Sequence, residues 1–145
     1  MKISSPAFEN SSMTPKKYTC SAENVNPPLR FADIPAGAKS LALIMDDPDA
    51  PAGTYTHWVV WNIPPKTVAI DENSMPPGTV GKNSAGTTTY IGPCPPSGTH
   101  RYFFKLYALD LVLSEDGIET RADLEQAMQN HILAEDQLRG LFKKS

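Results

Sequence analysis

The prolines constrain this chain most. Fourteen of them stand in 145 residues, and they fall in short groups: Pro27-Pro28, Pro48 with Pro51, Pro64-Pro65, Pro76-Pro77, and Pro93 with Pro95-Pro96. Proline fixes its own φ, removes a backbone donor and restricts the residue before it. Each group sits where an apolar run stops, so the pattern predicts strands joined by stiff, shaped loops rather than a helical bundle.

The runs between these breaks support that reading. Lys39 to Asp47 (KSLALIMDD) is short, almost wholly apolar and bounded by Gly37 and Pro48, as a buried strand would be. His57 to Ile63 (HWVVWNI) is aromatic and β-branched, and stops at Pro64. His100 to Leu109 places Tyr102, Phe104, Leu106 and Ala108 on one face and Arg101, Phe103, Lys105 and Tyr107 on the other, a long strand with one partly wet face. The polar stretch from Asp71 to Gly98 offers only Thr87 to Ile91 as a further short strand, and connections of such length tend to carry function. One helix is expected near 121–131. Thr120 and Asp123 form a capping box, and Leu124, Ala127, Met128, His131 and Ile132 share one face. Residues 131–142 fit helix and strand equally. The fold class expected is mostly β, in a single domain covering 1–145, a length that suits one hydrophobic core.

Composition narrows the function. A net charge of -3 supplies no global field for nucleic acid, and no apolar run approaches a membrane span. Met1 to Pro6 has one positive charge but no apolar stretch after it, so the chain is expected to be cytoplasmic. In that compartment Cys20 and Cys94 are expected to be free thiols, Cys94 as a small filler in a tight loop.

Two segments could carry chemistry. In Asp46-Asp47-Pro48-Asp49-Ala50-Pro51, followed by His57-Trp58, the prolines would hold the carboxylates of Asp47 and Asp49 in set directions. In Gly92-Pro93-Cys94-Pro95-Pro96-Ser97-Gly98-Thr99-His100-Arg101-Tyr102 a rigid loop again leads into a strand that begins with a histidine. At least one cis X-Pro bond is expected, at Asp47-Pro48 or within 92–96, as a device for aiming a carboxylate. Two aspartates and two histidines could in principle hold zinc or manganese. A hydrolase using Ser97 beside His100 would lack the usual nucleophile elbow. His131 is assigned to the helix.

The D-P-D-A-P string with its following histidine, and the G-P-x-P-P-x-G-T-H-R-Y string, resemble the two signature regions of the phosphatidylethanolamine-binding protein family, including its bacterial and archaeal Raf-kinase-inhibitor-like branch. Asn26-Pro27-Pro28-Leu29, Ile34-Pro35-Ala36-Gly37 and His131-Ile132-Leu133-Ala134 extend the likeness along the chain. The resemblance implies a β-sandwich with a peripheral C-terminal helix. It also implies an anion pocket lined by Asp47, Asp49, His57 and His100 with main-chain groups near Gly92 and Pro93, rimmed by Pro51, Tyr55, Pro95 and Tyr102. The implied ligand is phosphate, a phosphate ester or a small carboxylate. No catalysis, metal or cofactor is implied. A protein partner, such as a protease or kinase held by the rigid loops, and a homodimer are further expectations. Chemically, imidazolium groups would donate to the anion while the aspartates orient and charge them.

Overall fold

The computed structural model describes residues 1–144. Nine strands and one α-helix follow in order, with a single 3-10 turn (Lys16–Tyr18) after the second strand: β1 (Lys2–Ser4), β2 (Ser12–Met13), β3 (Leu29–Ala32), β4 (Ser40–Asp47), β5 (Tyr55–Ile63), β6 (Ala69–Ile70), β7 (Thr79–Val80), β8 (Thr99–Leu109), α1 (Arg121–Met128) and β9 (Ile132–Lys143). The three apolar runs are β4, β5 and β8, in the places the sequence predicts. They form the middle of a six-stranded sheet ordered β2-β9-β8-β4-β5-β7. A small sheet, β1-β3-β6, lies across it. Ile3, Leu29, Phe31 and Ile70 of the small sheet pack with Leu43, Met45, Trp58, Val60, Phe104 and Leu106 of the large one. That apolar layer makes the molecule a β-sandwich.

The outer face of the large sheet needs its own cover, because β4 and β5 are apolar on both sides. Helix α1 supplies it: Leu124 and Met128 bury against Ala42, Ile44, Val59 and Trp61. The capping box forms as the sequence predicts. The Asp123 amide donates to Thr120 Oγ1, and the Thr120 amide donates back to the Asp123 carboxylate. A charge cluster fixes the helix start, with Asp46, 1% exposed, taking Lys105 at 2.9 Å and Arg121 at 2.6 Å.

The helix is shorter than expected. It stops at Met128, and Asn130 turns the chain with φ 66°. His131 therefore leaves the helix and pairs with Asp110 at 2.8 Å. Residues 132–143 become β9, paired along the whole of β8 from Leu109↔Ile132 to Thr99↔Lys143. Pairing with a distant strand decides a segment whose local pattern is neutral. In the 71–98 stretch the strand is β7, not 87–91. There the Asn83 side chain ties Thr87 and Thr89 into a compact loop.

Two further expectations fail. Every peptide bond among the described residues is trans; the Asp47 carboxylate is aimed instead by accepting the Asp49 amide at 2.8 Å. Cys20 and Cys94 form a disulfide, because the segment carrying Cys94 docks directly on the loop carrying Cys20. No helix among the described residues is long and apolar enough to cross a membrane.

Candidate functional site

Three adjacent antiparallel strands bring the site together at one end of the large sheet. Asp47 ends β4, His57 lies near the start of β5, and His100 lies near the start of β8. A cavity of about 280 Å³ opens between them. Its polar lining is Asp47, His57, His100 and Tyr102, and its walls include Ala50, Pro51, Tyr55, Ile91, Gly92, Cys94, Pro95 and Pro96. Three other hollows are larger, one of 370 Å³ beside Lys105 and Glu135, one of 330 Å³ beside Trp58 and Tyr90, and one of 370 Å³ beside Leu113 and Gln126. None of them gathers a cluster of buried titratable side chains, whereas Asp47, His57 and His100 are 3%, 5% and 7% exposed.

His57 faces this cavity because of a β-bulge. Met45 pairs with Trp58 and Asp46 with Thr56, which leaves His57 as the extra residue of β5. Strict alternation would send His57 to the outer face with Val59 and Trp61. The bulge re-aims it to the side of Tyr102, whose ring is 5.4 Å away.

Each histidine is oriented through Nδ1. In His57 it donates to the Ile91 carbonyl at 2.7 Å. In His100 it donates to Asp47 Oδ2 at 2.7 Å. Neither Nε2 has a hydrogen-bond partner among the described residues. The Tyr102 hydroxyl is buried beside the Asp47 carboxylate and the Cys94 backbone, without a hydrogen bond of good geometry to either; burial pushes its pKa up, and the charge of Asp47 adds to this. Burial holds His57 below the usual histidine range, with the Ile91 bond and the charges of Asp47 and Asp46 opposing more weakly.

The remaining expected residues divide. Pro51, Tyr55, Pro95 and Tyr102 line the cavity. Asp49 does not; its carboxylate takes the Arg101 amide, Nε and Nη2 at 2.8–2.9 Å. That guanidinium draws Asp49 down to about 2. Gly92 lines the wall, but its amide donates to Asn24 Oδ1. Pro93 has no amide, and its carbonyl accepts from Cys20. Both serve to dock the 90–94 segment. A Cβ at Gly92 would lie 2.2 Å from the Tyr18 carbonyl oxygen and 2.3 Å from Asn24 Oδ1, so only glycine permits this approach. Ile91, Asn24 and Cys20 therefore support the site. Ile91 acts through its carbonyl, which no side-chain pattern announces; the even cysteine count was the one available signal for Cys20.

Among the described residues no group of three or more His, Cys, Asp or Glu side chains could hold a metal ion. The arrangement can instead enclose a small ligand, offering two partly free imidazoles, a hydroxyl and an apolar wall.

Fold and pocket together define a two-sheet β-sandwich with a small-ligand cavity at the end of its central strands. The family model for phosphatidylethanolamine-binding protein matches residues 4–143. The UPF0098 protein of Methanothermobacter thermautotrophicus is 48% identical, with 99% of each chain covered. That of Chlamydia pneumoniae is 43% identical over the whole of both chains. A crystal structure of a phosphatidylethanolamine-binding protein homologue from Chlamydia trachomatis superposes with a TM-score of 0.95 at 41% identity, covering 99% of this chain and 97% of the other. YbcL of E. coli, at 24% identity, shares the fold with a TM-score of 0.90 and coverage of 99% and 98%. The chain belongs to the phosphatidylethanolamine-binding protein family, and is a ligand-binding protein of that fold.

Proposed function

We propose that the protein binds a small anion in this cavity, a phosphate, a phosphate ester such as a phospholipid headgroup, or a small carboxylate, and acts by binding rather than by turnover. One observation carries the reading. Both buried histidines spend Nδ1 inside the protein and leave Nε2 without a partner, beside the unpartnered hydroxyl of Tyr102. A buried hydroxyl without a partner is rare and costly, and a bound ligand would satisfy it while meeting the two ring nitrogens left free beside it. The non-catalytic part of the reading is supported by the state of Cys94, the sulfur at the cavity wall, which is consumed in a disulfide. A regulatory or inhibitory role toward a protease or kinase would use the stiff 71–98 loop beside the cavity. A cytoplasmic setting fits this reading only where structural disulfides persist in the cytosol, as in hyperthermophiles.

Calorimetric titration with inorganic phosphate and O-phosphoethanolamine tests the proposal. His100→Ala removes a ring held by Asp47, and affinity is expected to fall about ten- to a hundredfold. Equal affinity in wild type and His100→Ala would place the anion elsewhere. Hydrolysis of a phosphate ester that disappears in His57→Ala would refute the non-catalytic reading.

A further inference from the structure

The cavity is an unusual place for an anion. Its lining includes no lysine or arginine. The nearest guanidinium in sequence, Arg101, is held by three hydrogen bonds to Asp49. The carboxylate at the site is that of Asp47, held by the His100 ring. A carboxylate facing a fully deprotonated dianion would repel it.

His57 sharpens the point. The Ile91 carbonyl can only accept, so the 2.7 Å contact requires the proton on Nδ1. In the neutral ring Nε2 is then a lone pair, an acceptor. Burial favours the neutral ring. The groups facing it are Tyr55 at 4.9 Å on its own strand, Tyr102 at 5.4 Å on β8 beside His100, and the charge of Asp47 on β4, with that of Asp46 acting from the other face of the sheet. None of these supplies a donor to Nε2. A ligand oxygen without hydrogen would set lone pair against lone pair, whereas a ligand O–H would complete the bond.

We infer that the pocket selects an anion that carries its own proton, the monoanion of a phosphate monoester, with its P–OH donating to Nε2 of His57 while Tyr102 Oη donates to another ligand oxygen. This rests on the anion-binding reading above and narrows it to ligands that keep an acidic proton, which a phosphodiester headgroup and an ionised carboxylate lack. Phosphate monoesters lose their second proton near pH 6, so the required form is abundant at mildly acidic pH. Sulfate esters have no such proton.

Methyl phosphate and methyl sulfate separate the possibilities. As monoanions they share charge and shape and differ by one hydrogen. At pH 6 methyl sulfate is expected to bind about ten- to a hundredfold more weakly than the methyl phosphate monoanion, as befits a lost hydrogen bond with two lone pairs left facing each other. His57→Gln can turn an amide N–H toward the ligand, and there the two affinities should converge to within about threefold. Equal binding of both esters by the wild type, abolished by His100→Ala, would leave the anion site standing and overturn the proton requirement. Discrimination that persists in His57→Gln would remove His57 as its source. If neither ester binds, the anion reading and this inference fall together. The wild-type comparison stands even if His57→Gln does not fold.

Discussion

Removing the Cys20–Cys94 crosslink should destabilise the protein more than any single core truncation at the cavity wall. The bridge joins residues 74 positions apart, so breaking it releases a long loop in the unfolded chain. The chain-entropy relation gives roughly 4.5 kcal/mol for a loop of that size, near the upper part of the usual range. The native state should change little, because other bonds also hold the two loops. Cys20 N donates to the Pro93 carbonyl, Gly92 N to Asn24, and the Tyr90 hydroxyl to the Tyr18 carbonyl. Urea unfolding of the oxidised protein and of the Cys20→Ser/Cys94→Ser double variant measures the difference. With a slope of about 2 kcal/mol per M for a domain of this size, the midpoint should fall by about 2 M. Thiol titration of the unfolded, unreduced protein should find no reactive thiol. A midpoint shift below about 0.5 M at unchanged slope, or two titratable thiols, would show that the crosslink does not constrain the protein in solution.

The wall also depends on Gly92. Gly92→Ala places a methyl 2.2 Å from the Tyr18 carbonyl, so ligand affinity should drop and the protein should lose about 1–3 kcal/mol in urea unfolding; a variant as stable and as tight-binding as wild type would contradict the packing. Asp49 should titrate near 2 by carbon-detected NMR, held down by Arg101, and return toward the ordinary carboxylate value near 3.9 in Arg101→Ala. Because its folded value lies below the unfolded one, its contribution is present above about pH 4 and is lost as pH falls through 2. The partial exposure of the pair limits that contribution to about 1 kcal/mol or less, and an Asp49 midpoint unchanged in Arg101→Ala would refute the assignment.

Local pattern reached far into this protein. The alternation of β8, the unbroken apolar runs of β4 and β5, the Thr120–Asp123 cap and the proline groups that end each run are all properties of neighbouring residues, so they could be read in order along the chain. The two histidine-bearing segments were legible for the same reason, and the structure sets Asp47, His57 and His100 around one cavity. What local pattern could not decide was anything that depends on which distant strand lies alongside. Residues 132–143 are a strand because β8 offers an edge along their whole length. Asp47 and Asp49, alike in sequence, part company because one meets His100 and the other meets Arg101. Cys94 meets Cys20 because Gly92 lets two loops touch. His57 turns inward through a bulge defined only by its register against β4, and the Ile91 carbonyl then sets which of its nitrogens is left free. Most of the secondary structure is written in near neighbours, but the state of a locally neutral segment, register, pairing and the proton on a buried ring are set by atoms that only the folded chain brings within a few ångströms.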